Sequence, residues 1–267
     1  MDPTRISAIP GPADAVLPEA AGGFLGVLML DTRFPRPPGD VGHPATFAAD
    51  VRYKVIDGAW PRAVVTSAET LKASTLPTRF VDALHEFEDE GAFAITTSCG
   101  FLVLLQRELQ GAARVPVVSS SLLLLPSLLE REGRVGVLTI SAVHLTADYL
   151  RCAGVTGPRL ADVVVQGVDG EGEFARAILG NRATMDLGRA RDDVVAAALL
   201  LKSRAPDVRS VVLECTNMPP YAQAVRDETG FELFDLRDAL ATSLATYDPA
   251  ARSRAAAPTT GSAPSRT

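Results

Sequence analysis

Two stretches of this chain end an apolar run on a cysteine and then turn: "AITTSCGFL" around Cys99 and "VVLECTNMPPY" around Cys215. Slid by 116 residues, Ala94–Leu109 lies over Ser210–Val225 with Cys99 on Cys215. The same shift, without a gap, brings Val115 onto Phe231 and Leu124 onto Leu240. A shift of 110 sets Gly136–Ser141 ("GVLTIS") over Gly26–Asp31 ("GVLMLD"). The order strand, helix, strand, cysteine, helix, strand therefore occurs twice. A period of this size means a unit built twice, and here the two cysteines fall in register.

Between those landmarks, short apolar runs alternate with longer amphipathic segments. Strands are predicted at Phe24–Leu30, Ala63–Thr66, Phe93–Thr97, Val115–Ser119, Val135–Ile140, Val163–Val165, Val211–Glu214 and Phe231–Leu236. Helices are predicted at Leu76–Glu90, Phe101–Gln110, Leu122–Arg131, Val143–Ala153, Gly172–Leu179, Arg189–Ser203, Pro219–Thr229 and Asp238–Thr246. Continuous apolar strands separated by helices indicate parallel sheets covered on both faces. The expected fold is α/β: two similar Rossmann-like halves, residues 23–133 with Cys99 and 134–246 with Cys215, with exchange of segments between them allowed. A pseudo-twofold axis would relate the halves and leave a cleft between them. Ligands bind such folds at the carboxyl ends of the strands, where both cysteines lie.

Composition bounds the partners. At 47% hydrophobic and 22% charged the chain is ordinary globular material, and a net charge of −6 without a basic run argues against nucleic acid or an anionic membrane. No apolar stretch reaches the roughly 18–20 residues that span a bilayer. The run Ala20–Leu30 lacks a basic flank and a cleavage pattern, so it reads as a strand and not a signal peptide. Three widely spaced cysteines make no disulfide framework and fit a reducing cytoplasm. No His or Cys cluster has metal-ligand spacing. Residues 1–22 and 247–267, rich in Pro, Ala, Ser and Gly, read as disordered tails.

A cysteine at the start of a helix meets backbone N–H groups and the positive end of the dipole, so a lowered thiol pKa is expected at both corners. Gly100 lets the backbone turn beside Cys99, while Thr216 and Asn217 are candidate cap residues before Pro219 and Pro220. Cys152, inside a helix, reads as packing.

These corners resemble those of the aspartate/glutamate racemase superfamily, which includes hydantoin racemases, maleate isomerases and arylmalonate decarboxylases. Leu213-Glu214-Cys215-Thr216-Asn217-Met218-Pro219 is similar to the Cys-Thr-His/Asn-x-Pro corner of cofactor-independent racemases. Thr97-Ser98-Cys99-Gly100 matches the family's first corner more loosely. Asp31 occupies the place of an acidic residue near the site of glutamate racemases. The resemblance implies no cofactor and no metal, with Cys99 and Cys215 alternating as general base and acid on opposite faces of an α-carbon. Thr97, Ser98, Gly100, Thr216 and Asn217 would cradle the developing enediolate.

The sequence departs from glutamate racemases at Asn217, at Gly100-Phe101 and at Asp31-Thr32-Arg33. Arg33 or Arg36, on the Pro-rich loop, is expected to pair with a substrate carboxylate. Ser141, the repeat partner of Asp31, is a further candidate, ahead of His144. Tyr149 and His85 read as structural, and Glu86–Glu90 as a solvated face.

The expected activity is a racemase or epimerase for an amino acid or related small carboxylic acid. The alternatives are a maleate-isomerase-like or decarboxylase-like reaction and a non-catalytic small-molecule-binding protein. Retention of both cysteines weighs against the decarboxylase. A homo-oligomer is open, because relatives often assemble but no interface is marked.

Overall fold

A computed structural model describes residues 22–247. The tails expected from composition fall almost wholly outside this range. The chain runs β1 (Phe24–Leu30), β2 (Val51–Ile56), α1 (Pro61–Val65), α2 (Ala68–Ala73), α3 (Leu76–Asp89), β3 (Ala92–Thr97), α4 (Gln106–Ala112), β4 (Val117–Val118) and α5 (Leu125–Glu132). It continues through β5 (Val135–Thr139), α6 (Ala147–Cys152), β6 (Val163–Gly167), α7 (Glu173–Leu179), α8 (Leu187–Arg204), β7 (Ser210–Leu213), α9 (Ala222–Thr229), β8 (Glu232–Phe234) and α10 (Leu236–Thr246).

The strands form two parallel four-stranded sheets, ordered β2-β1-β3-β4 and β6-β5-β7-β8. The orders are the same in each half, as the repeat requires. The middle strands β1, β5 and β7 are buried at every position, which is why they read as unbroken apolar runs. Gly26 and Gly136, superposed by the 110-residue shift, do the same work in each half. A Cβ at Gly26 would sit 2.7 Å from the Phe87 ring of α3, and one at Gly136 would sit 2.8 Å from Leu201 of α8. Both glycines let a helix lie close on its sheet.

Two expectations are corrected. Ala63–Thr66 is not a strand: Pro61 opens the short helix α1, where its fixed φ and missing N–H suit the first position. The strand that completes the first sheet is β2, "VRYKVI", which no prediction included. It is an edge strand, half-buried along most of its length, and its Arg52 and Lys54 pair with Glu90 of α3's C-cap at 3.3 and 3.4 Å. The acidic run is thus tied to the sheet edge, and its Glu88 is buried beside Arg114. Cys152 is exposed, not packed.

The halves are interlaced. Helix α5 follows the first sheet but packs on β5 and β7 of the second. Helix α10 follows the second sheet but packs on β4 and the 3-10 turn Ser121–Leu124 of the first. A capping box starts α10: Asp235 accepts from the Arg237 N–H at 2.7 Å, and the Asp238 carboxylate accepts from the Asp235 N–H at 2.7 Å. Ser121 also donates its hydroxyl to Leu213 O of β7 at 2.7 Å. No described helix is long and apolar enough to cross a membrane.

Candidate active site

Both cysteines lie just past the carboxyl ends of equivalent central strands, Cys99 after β3 and Cys215 after β7, and both line one small cleft. Its walls are apolar: Leu30, Phe34, Pro61, Val65, Phe101, Ile140 and Ile178. Each half contributes to them, and α1 packs against α7. The helix mistaken for a strand is therefore part of the cleft.

Neither thiol opens an α-helix. Cys99 precedes a 3-10 segment, Gly100–Leu105, and Cys215 lies four residues before the short 3-10 turn Pro219–Tyr221. The expected lowering of the thiol pKa is overturned. Burial pushes Cys99 up to about 12, aided by the charge of Glu214; the backbone N–H groups of Phe101 and Leu102 pull the other way and lose. Cys215 is raised as well, first by burial and then by Glu214, against one backbone N–H from Asn217. Desolvation of a buried thiolate outweighs a few partial charges of a 3-10 turn. In the ligand-free cleft both groups are thiols.

The polar groups around them are already engaged. The Ser98 hydroxyl accepts from the Leu30 N–H at 2.8 Å. The Thr216 hydroxyl donates to Ser98 O at 2.7 Å, a direct tie between the two cysteine corners. The Thr97 hydroxyl donates to Ser119 O at 2.8 Å, fixing β3 to the segment after β4. Cys215 donates to Asn217 Oδ1 at 3.5 Å; Asn217 Nδ2 donates to Asp40 Oδ2 at 2.6 Å; Arg36 donates to Asp40 Oδ1 at 2.7 Å. Arg36 also reaches Thr32 at 2.7 Å and lies 4.6 Å from the centre of the Phe34 ring.

Ser98, Cys99, Gly100, Cys215, Thr216 and Asn217 are brought together at the cleft. Thr97 is buried just behind it. Asp31, Arg33 and Ser141 are not among its lining residues. Asp31 accepts from Trp60 Nε1 at 3.0 Å, Arg33 is exposed with its backbone N–H on Asn181, and Ser141 faces His144 at 2.7 Å. Sequence reasoning missed two residues. Asp40, 1% exposed, sits in the Pro- and Gly-rich loop with nothing local to mark it. Glu214 is wholly buried in the cleft wall, and a charged residue inside "VVLEC" was the signal that could have found it.

Arg36→Ala would strand the Asp40 carboxylate in the interior. Removing one partner of a buried pair costs about 3–5 kcal/mol. A loss of that order in denaturant melts is expected, with about a tenfold fall in kcat/KM as Asp40, the anchor of Asn217, loses its own partner. Arg33→Ala is expected to change both by less than about twofold.

Two interlaced parallel α/β halves with a cysteine of each at a shared cleft define the class: the two-half racemase fold. The chain belongs to the Asp/Glu/Hydantoin racemase family, which it matches over residues 49–244. Among solved structures it is similar to the glutamate racemase of Francisella tularensis in complex with D-glutamate (TM-score 0.55, 16% identical, 89% of this chain and 84% of that one). It is also similar to unliganded arylmalonate decarboxylase (TM-score 0.51, 15% identical, 84% and 93%). Sequence relatives carry a different activity in their names. The dimethylsulfoniopropionate lyase of Durusdinium sp. clade D is 30% identical over 226 residues, 82% of this chain and 73% of that protein. Dimethylsulfoniopropionate lyase 3 of Emiliania huxleyi is 30% identical over 240 residues, 85% of this chain and 60% of that protein. The chain thus spans somewhat under two thirds of the Emiliania huxleyi relative.

Proposed function

We propose that the protein is a cofactor-independent lyase that takes a proton from the carbon beside a carboxylate and expels a sulfide from the next carbon, with dimethylsulfoniopropionate as the substrate. The observation that carries this reading is the pair of thiols in one apolar cleft, in a chain 30% identical to two lyases of that name.

Cys99 is the base. Its sulfur faces two backbone N–H groups, whereas that of Cys215 faces one and keeps its proton on Asn217 Oδ1. The Cys99 thiolate takes the α-proton and becomes a thiol. The C–H electron pair forms the carbon–carbon double bond, and the C–S bond breaks with its pair going to sulfur. The products are neutral dimethyl sulfide and acrylate. Cys215 remains a thiol and, with substrate bound, turns its S–H from Asn217 Oδ1 toward the negative charge that builds at the substrate carboxylate. Apolar walls suit the two methyl groups of the leaving sulfide.

Racemisation, expected from the sequence, shares the first step and needs both thiols, so the same cleft supports it as the second reading. One experiment separates the two. The protein is incubated in D₂O with dimethylsulfoniopropionate and, separately, with L-aspartate and L-glutamate, followed by ¹H NMR and headspace gas analysis. Equal amounts of dimethyl sulfide and acrylate are expected. No sulfide, together with α-deuteration and loss of chirality in an amino acid, would replace the lyase by a racemase.

A further inference from the structure

Glu214 is an expensive residue to place where it is. It is wholly buried, its Oε2 accepts from the Thr139 hydroxyl at 2.7 Å, and its Oε1 has no partner. It forms no ion pair among the described residues. Arg36, in the loop beside the cleft, is already paired with Asp40. A buried carboxylate with one hydrogen bond and no counter-charge is strongly penalised when ionised. Yet the chain is built around it: Gly100 leaves no room for a side chain because a Cβ there would overlap the Glu214 carbonyl and carboxyl.

We propose that Glu214 is the specificity residue that reads a positive charge on the substrate, its free Oε1 pairing with an alkylated onium group held in the apolar cleft. The assignment rests on the reading of this cleft as a substrate site and names the kind of head group it takes. Three features of the cleft favour an onium without N–H bonds over a primary ammonium. The walls are aliphatic or aromatic. The side-chain oxygens of Ser98 and Asn217 already accept, from the Leu30 N–H and from Cys215, leaving few acceptors for N–H groups. Phe101 supplies a further aromatic ring for methyl groups and charge. When ionised, the Glu214 carboxylate also disfavours substrates with two carboxylates and no cation, such as maleate or a malonate, because like charges would meet in a low-dielectric cleft.

The test uses two isosteric ligands that lack the sulfonium leaving group: 3-trimethylammoniopropionate and its neutral-headed analogue 4,4-dimethylpentanoate. Their affinities for the full chain are measured by calorimetry at pH 8.5, above the value of about 8 to which burial raises Glu214. Wild type is expected to bind the onium ligand at least about tenfold more tightly. Glu214→Gln is expected to bring the two affinities within about twofold while still binding 4,4-dimethylpentanoate, which reports an intact cleft. Equal affinities in wild type, or a preference that survives in Glu214→Gln, would overturn the assignment. Should Glu214→Gln bind neither ligand, Glu214→Asp decides: a retained onium preference supports the role and a lost one refutes it. Binding is read without turnover. Charge selectivity that vanishes in Glu214→Gln, with no sulfide released by wild type, would sink the elimination and keep Glu214 as charge reader. Sulfide release with selectivity indifferent to Glu214 would do the reverse.

Discussion

Cys99→Ser is expected to lower kcat for sulfide release by about 10³-fold, the scale of losing a positioned general base. The hydroxyl fills the same place without a usable anion. Cys215→Ser is expected to cost less, about tenfold to a hundredfold, because a serine still donates a hydrogen bond from that side. A racemase would instead lose turnover about equally in both variants, so the ratio of the two effects is itself diagnostic. The pH profile follows from burial. Both thiols are raised, so the thiolate fraction of the free protein is small at neutral pH and grows with pH. Log kcat/KM is therefore expected to climb by about one per pH unit from pH 6 to 8, and by up to about two if the carboxyl of Glu214, raised to about 8 by burial, must also ionise. A profile flat over that range would show that the thiol is already ionised and that the cleft is wetter than its lining implies.

Gly100→Ala is the second large effect. Gly100 is not one of the positive-φ glycines, so its backbone would accept alanine without strain. The obstacle is contact alone: the new methyl would overlap both the main-chain oxygen and the carboxyl of Glu214. A main-chain carbonyl at the end of a central strand cannot swing aside as a surface side chain can. Overpacking usually costs about 1–3 kcal/mol, and this site belongs at or above the top of that range. A loss of about 3 kcal/mol in urea melts is expected, with turnover reduced about a hundredfold because Glu214 and Cys99 move together. Gly111→Ala is the control. It lies in α4 with nothing within 4 Å of its Cβ, and it should stabilise slightly or change nothing. If both substitutions behaved alike, the close approach of Glu214 to Gly100 would be wrong.

What the sequence disclosed follows burial. β1, β5 and β7 are apolar on both faces and declare themselves; β2 alternates charge with apolar residues, pairs on one side only and passed unread. The four residues Ala63–Thr66 carried too little periodicity to tell strand from helix, and Pro61 decided for helix. The cysteines were legible because two of them fell at one position of a repeat. Their ionisation was not, because the strength of a dipole at a helix start is local, whereas the desolvation that defeats it comes from residues such as Ile140 and Ile178, far along the chain. Glu214 and Asp40 share that reason. Nothing within ten residues of Asp40 foretells its partner Asn217, and only the opposite half buries Glu214 against Gly100.

The crossing of α5 and α10 between the sheets bears on the order in which the molecule can be completed at synthesis. Protein chains tend to fold from the amino terminus as they emerge, one domain after another. Here the first sheet emerges early with α4 against β4 but still lacks the second helix on that strand, supplied only by Leu236–Thr246. Until that last helix arrives, the Ser121–Leu124 turn and β4 wait with an uncovered apolar flank. The nascent protein is therefore one cooperative unit that closes at its end, and a chain halted short of residue 236 should be a client for chaperones and proteases, not half an enzyme.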